Sequence, residues 1–226
     1  MNIFVAGIGP GNYDLITLSA LEYAKLSDII IVPRADIKAT GISERVIMHH
    51  VKDKMILPVH FPMIRDKSEC IRVIHEQLVS HDWHNINNIF FPVLGDSMLY
   101  STGDYLVHAF RKINPDVNVK FIPGISAHSL AASYVYRQLA IRDEIFSVVS
   151  GTSERERIIR AIENSDVIAI YKPRAVKGLG ELISRYEFRK IIRVDNAGMP
   201  DKERIYEGND SLDDIHEYMS IIILWK

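Results

Sequence analysis

Residues 28–32 read Asp-Ile-Ile-Ile-Val, a continuous apolar run after its first residue and no longer than one β-strand. A strand with one face in water alternates apolar and polar side chains, so an unbroken run marks a strand covered on both faces. Further strand-sized runs lie at 3–6, 88–94, 117–122, 145–149, 166–171, 190–194 and 220–225. Segments with helical character separate them, at 15–26, 43–51, 68–80, 126–137, 153–163 and 175–186. Ile71, Ile74 and Leu78 share one helix face, and so do Leu106, Ala109, Phe110 and Ile113. Thr17 or Ser19 can cap the first helix, the latter within a Ser19-x-x-Glu22 capping box. "LPVHFPM", with Pro58 and Pro62, reads as a loop or an edge strand, and Pro92 complicates the strand at 88–94. This alternation predicts an α/β fold with largely parallel or mixed sheets. Eight or more strands would make one large sheet, and Asn-Pro-Asp at 114–116 is a turn. Two α/β domains are therefore expected, at 1–115 and 116–226.

Composition removes several classes of function. A formal charge of −2 over 226 residues, with a pI near 6.5, gives no bulk attraction for nucleic acid, and no nucleic-acid partner is expected. The single cysteine, Cys70, rules out an internal disulfide framework and fits a reducing compartment. Nine histidines show no tetrahedral metal spacing; His49-His50 and His81-x-x-His84 read as solvated surface pairs, and no metal is expected. No charged-then-apolar leader and no bilayer-length apolar stretch is present, which predicts a soluble, cytoplasmic protein without a membrane partner.

Ligands of open α/β sheets sit beyond the C-terminal ends of the strands. That rule selects the loops at 7–11, 95–102, 123–129 and 171–177. "GIGPGN" departs from the dinucleotide fingerprint, because Asn12 stands at the third glycine position and Pro10 removes an N–H from the run. No Gly-Lys-Ser/Thr follows, so it is not a phosphate loop either. Each loop also has a purely structural reading. Asp96 can grip a ligand or cap a turn, Ser101-Thr102 can cap the next helix, and Pro123-Gly124 with Ser126 can be a turn and cap.

Taken in order, "GIGPGNYDLIT", "GDSMLYST" and "PGISAHS" with the closing strand "SIIIL" resemble the tetrapyrrole (corrin and uroporphyrinogen) methylases over essentially the whole chain. "IVPRAD", "LPVHFPMIRD" and "LGDSMLYSTGDYL" are most similar to the precorrin-2 carbon-20 methyltransferases within that family. Ser97 stands where the family usually has proline, and Lys172 where an apolar residue often follows the strand-end tyrosine. The resemblance implies two α/β domains with S-adenosylmethionine bound in the cleft between them. The contacts it carries over are Pro10, Leu94, Gly95, Asp96, Leu99, Ser101, Thr102, Ser126, Ala127, Tyr171, Lys172 and Gly198. It implies methylation at carbon 20 of a tetrapyrrole in cobalamin biosynthesis, on precorrin-2 or cobalt-factor II, by a homodimer. No residue is assigned as a catalytic base. Arg34, Lys38, Arg65 and Lys67 can meet substrate carboxylates, and Tyr100 and Phe61 the flat ring; each also reads as ordinary surface or core. Other acceptors of the same fold (another corrin position, diphthamide, ribosomal RNA) and a non-catalytic nucleotide sensor are the competing readings.

Overall fold

A computed structural model describes residues 1–212 and 214–226, in two compact units, Met1–Ser126 and Ala127–Lys226. The first unit runs β1 (Asn2–Gly7), α1 (Leu18–Leu26), β2 (Ile29–Arg34), α2 (Ile42–His50), β3 (Met55–His60), α3 (Lys67–Val79), β4 (Asn88–Val93), α4 (Gly103–Arg111) and β5 (Asn118–Ile122). Its sheet has the order β3-β2-β4-β1-β5, with every pairing parallel. The unbroken apolar run at 29–32 lies in β2, whose Ile29, Ile30, Ile31 and Val32 are buried. Ile29 and Ile31 face α3 and α4, while Ile30 and Val32 face α1 and α2, so both faces are dry and no polar position is tolerated. Full burial of each such side chain contributes about 1.5–3 kcal/mol.

The prolines find permissive places. β3 lies at the sheet edge, where Pro58 costs little. Pro92 sits in the interior strand β4, but β2 pairs with β4 only at Ile89 and Phe90, so the proline lies past the end of that ladder. The α1 helix begins later than its periodicity predicts. Asn12 Oδ1 accepts from Asp14 N and holds a separate 3₁₀ turn at Tyr13–Leu15, and Thr17 Oγ1 caps α1 through Ala20 N at 3.2 Å. Ser19 lies inside the helix, so the capping box it offered is not used. The division between the units falls after Ser126, not near residue 115, because β5 pairs with β1 and completes the first sheet.

The second unit contains α5 (Ala127–Tyr134), β6 (Phe146–Ser150), α6 (Arg155–Glu163), β7 (Val167–Tyr171), α7 (Leu179–Ile183), β8 (Lys190–Asp195), β9 (Arg204–Glu207) and β10 (Ser220–Trp225). Its order is β6-β7-β10-β8-β9, and only β6 and β7 are parallel among the described residues. The sheet is mixed because β10 enters between β7 and β8, antiparallel to both. Ile222 and Leu224 face α6 and α7, and Ile221, Ile223 and Trp225 face α5. The Trp225 indole donates to Gln138 O at 2.9 Å. β9, absent from the sequence reading, is an exposed edge strand with no buried residue and hence no apolar signature. Among the described residues no helix is long and apolar enough to cross a membrane.

Candidate functional site

In the first unit β4, β1 and β5 are neighbours, so the loops after them leave the same sheet edge side by side. The chain leaving β1 turns to α1 on one face, and the chain leaving β4 turns to α4 on the other. Such a divergence is the topological switch point at which open α/β sheets take ligands.

Three glycine backbones meet there. A Cβ on Gly7 would lie 2.6 Å from Gly95 O and 2.7 Å from Gly124 N; one on Gly124 would lie 2.3 Å from Gly95 O and 2.6 Å from the Gly7 carbonyl carbon. No side chain fits at these distances, so the three loops are closed against one another through glycine alone. Gly9 and Gly95 exchange backbone hydrogen bonds of 3.2 and 2.7 Å, tying the first loop to the second. Gly95 has φ +72°, and the direction its Cβ would take is open, the nearest atom lying 4.0 Å away. A ligand can therefore reach this backbone directly. Pro10 is buried beside the Gly9 turn, and Leu94 and Leu99 are half-buried.

The polar residues of the second loop have defined partners. Asp96 Oδ1 accepts from Met98 N at 3.1 Å and from Gly124 N at 3.4 Å, so its carboxylate caps its own turn and reaches the third loop. Ser97 is buried and donates to Ile122 O at 2.7 Å. Where a proline would stiffen the loop, this hydroxyl pins it to the end of β5. Ser101 Oγ accepts from Gly103 N at 3.0 Å and caps α4; Thr102 occupies the N-cap position without a side-chain bond. Gly103 permits close packing, since a Cβ there would lie 2.3 Å from Val5 Cγ1. Tyr100 has φ +50° and is 48% exposed, whereas Phe61 is core, stacked on Phe91 at 5.4 Å. Ser126 is buried at the end of the unit.

The second unit gathers its own group. β7 and β8 both run antiparallel to β10, so their C-terminal ends share an edge. Tyr171 ends β7 and Lys172 follows it; the Tyr171 hydroxyl lies 2.8 Å from His128 Nδ1 and accepts from His128 N at 3.3 Å, which brings the start of α5, with Ala127, to the same edge. Lys172 has φ +53° and donates from its backbone N to Ser220 O at 3.1 Å. A Cβ on Gly151 would lie 2.4 Å from Lys172 O. Gly198, φ +77° and buried, follows β8. Pro10, Leu94, Gly95, Asp96, Leu99, Ser101, Thr102 and Ser126 thus cluster at one edge of the first sheet, and Ala127, Tyr171, Lys172 and Gly198 at one edge of the second.

Charge is sparse in both groups. Arg34, a candidate for substrate carboxylates, is instead clamped by Glu44 through bonds of 2.8 and 2.6 Å and donates to Ile37 O. The Glu44 hydrogen bonds push its pKa above the ordinary value, and Glu44 Oε2 also takes Gly41 N. Lys67 pairs with Asp104 at 2.6 Å, both half exposed, and its hydrogen bond holds the Asp104 carboxyl below the usual range. Lys38 and Arg65 are exposed. His49 and His50 are not simply solvated: His49 stacks on Tyr13 at 4.3 Å and His50 Nε2 lies 2.9 Å from Tyr13 O, steadying the turn after Gly11. Among the described residues no cluster of three His, Cys, Asp or Glu side chains suits a metal.

Two features escaped sequence reasoning. The glycine contact needed three strands to be neighbours, for which a glycine after each of three apolar runs was the available signal. Glu203, whose carboxylate binds Gly198 N at 2.5 Å, carried no signal at all.

Comparison with known proteins fits this architecture. The chain is 28% identical to the "Probable cobalt-precorrin-2 C(20)-methyltransferase" of Methanocaldococcus jannaschii over 98% of this chain and 95% of the relative. It is 24% identical to the cobalt-precorrin-2 C(20)-methyltransferase of Salmonella typhimurium over 75% and 72%. The crystal structure of the uroporphyrin-III C-methyl transferase of Thermus thermophilus complexed with S-adenyl homocysteine superposes with a TM-score of 0.68, covering 100% of this chain and 98% of that one at 19% identity. Residues 2–211 match the family described as Tetrapyrrole (Corrin/Porphyrin) Methylases, and the chain belongs to that family.

Proposed function

We propose that this protein transfers a methyl group from S-adenosylmethionine to carbon 20 of precorrin-2 or of cobalt-factor II in cobalamin biosynthesis. The observation that carries the reading is the near full-length match to a relative named for that reaction, within a family that spans the chain. The residues fit the donor. An adenosyl group needs close backbone approach, which the open face of Gly95 offers; apolar contact, which Pro10, Leu94 and Leu99 offer; and a few hydroxyls, which Ser101, Thr102 and Ser126 offer. In the second unit, Ala127, Tyr171, the Lys172 backbone and Gly198 are the donor contacts that the family resemblance carries over.

The donor supplies a methyl group already activated by its sulfonium. What remains for the chain is to fix the geometry and exclude water, which can account for most of the acceleration. That division of labour accords with loops braced by glycine contacts and backbone bonds rather than by charged side chains. Asp96 is oriented by Met98 N and Gly124 N, which leaves its second oxygen for the donor. The exposed cations Lys38 and Arg65 suit the carboxylates of the tetrapyrrole.

The reading includes a cytoplasmic homodimer: the single cysteine suits a reducing compartment, and the dimer is what the family resemblance implies. Light scattering giving a mass near 25.8 kDa at micromolar protein would refute the dimer. For the activity, the test is calorimetry with S-adenosylhomocysteine, NAD and ATP, then incubation with donor and either metal-free precorrin-2 or its cobalt-bearing oxidised counterpart. Binding of the first ligand alone and methylation at carbon 20 are expected. Methylation at another carbon would overturn the assigned position, and binding of NAD or ATP alone would overturn the enzyme.

A further inference from the structure

Glu203 lies outside the predicted donor contacts yet touches one of them. Its Oε2 accepts from Gly198 N at 2.5 Å and from the Tyr134 hydroxyl at 2.6 Å. The backbone around it is closed as well: Glu203 N donates to Met199 O at 2.8 Å, Met199 N to Asn196 O at 2.9 Å, and Asn196 N to Met219 O at 2.7 Å. Asn196 sits at φ +51°, a left-handed conformation that persists in a non-glycine residue only where its surroundings over-determine it, and Gly198 follows at φ +77°, which glycine adopts without strain. Tyr134 is the last residue of α5, and Ala127 is the first. One carboxylate oxygen therefore joins the turn carrying Gly198 to the far end of the helix carrying Ala127, about 10 Å along its axis. Burial raises the Tyr134 pKa above its ordinary value, and the bond to Glu203 adds to the rise, so the phenol keeps the proton this bond requires.

We propose that Glu203 and Tyr134 are positioning residues for methyl-donor binding, acting as a staple that fixes the Gly198 turn against the helix that presents Ala127. The proposal rests on the reading of Ala127 and Gly198 as donor contacts. It separates these two residues from a merely structural pair through what each can lose. Tyr134→Phe removes one hydroxyl, Glu203→Ala removes the whole acceptor, and Glu203→Gln keeps an acceptor oxygen of the same reach.

The test is calorimetric S-adenosylhomocysteine affinity, KM against kcat for S-adenosylmethionine, and thermal melting, on the full chain and the three variants. Tyr134→Phe and Glu203→Ala are expected to weaken S-adenosylhomocysteine binding and raise KM by about five- to thirtyfold, with kcat changed far less. Glu203→Gln is expected to recover most of that loss. Tyr134→Phe serves if Glu203→Ala does not fold. Wild-type affinity in Tyr134→Phe, or a loss in kcat with KM unmoved, overturns the staple. A wild-type chain that does not bind S-adenosylhomocysteine overturns the donor reading itself, which a failure of the staple alone would leave standing.

Discussion

Replacing Gly124 by alanine tests whether the three-loop contact is a physical constraint. The added Cβ would lie 2.3 Å from Gly95 O, 2.6 Å from Gly7 C and 2.7 Å from Gly7 Cα. Non-bonded heavy atoms settle near 3.5–4.0 Å, so a gap of roughly 1 Å must open. All three atoms are backbone, and both residues that carry them are fixed further, Gly7 by its strand and Gly95 by its paired bonds with Gly9. No rotamer change relieves the clash. Overpacking of this kind costs about 1–3 kcal/mol, sometimes more, and the upper end is expected here. In a chain of this length that lowers the melting temperature by about 6–12 °C. Separating the loops also displaces Gly124 N from Asp96, so S-adenosylhomocysteine affinity should fall at least about tenfold, equivalent to about 1.4 kcal/mol. Gly180→Ala is the control: it lies within α7, and its Cβ would make ordinary contacts of 3.7 and 3.9 Å with Leu212. Helix propensity then predicts an unchanged or higher melting temperature. Differential scanning calorimetry and ligand titration decide the matter. A Gly124→Ala protein that melts and binds like wild type would show that the three backbones are not in contact and that the loops do not form a braced site.

Asp96 has both a structural and a proposed ligand role, which two substitutions separate. Asp96→Asn keeps an acceptor for Met98 N and Gly124 N and should melt near wild type while losing about ten- to a hundredfold in donor affinity; Asp96→Ala should also lose about 1 kcal/mol of stability. Unchanged affinity in Asp96→Asn would remove the carboxylate from the donor site. Ser97→Ala leaves a buried carbonyl, Ile122 O, without its hydroxyl donor and should cost about 1–3 kcal/mol in urea unfolding; a neutral result would mean that the loop needs no pin. Tyr134 makes stability fall on the alkaline side. Its folded pKa lies above the ordinary 10.0, so the stabilisation is complete below pH 10 and is lost as pH rises toward the folded value; Tyr134→Phe should flatten that limb of the stability–pH curve. Asp104→Asn should change stability by less than about 1 kcal/mol, because both partners of the Lys67 pair are half exposed; a larger loss would show a role beyond the ion pair.

What could be read from the sequence follows from how local each signal is. β2 was legible because burial on both faces writes itself into consecutive residues, and the loops after β1, β4 and β5 were legible because glycine marks close backbone approach. β9 was not, since an exposed edge strand is set by its partner β8 and not by its own composition. Which sheet would be the mixed one was not legible, because β10 sits between two strands that precede it in the chain, and periodicity carries no information on order. Asp96 left cap and ligand roles open, since one of its partners, Gly124, is far away in sequence. Arg34 looked like a free cation only because Glu44 gave no sign that it would fold back on it.

The position of β10 also bears on how the protein is made. A chain emerging from the ribosome releases every strand of the first sheet before any strand of the second, so the first unit can close while synthesis continues. The second cannot: β7 and β8 emerge with their facing edges unpaired, and the strand that fills the gap is made after both. Until Ser220–Trp225 arrives, two apolar strand edges are open to any passing chain. Protease applied to nascent chains stalled before residue 220 should therefore cut the second unit and spare the first; equal resistance of both would show that the sheet forms without its central strand.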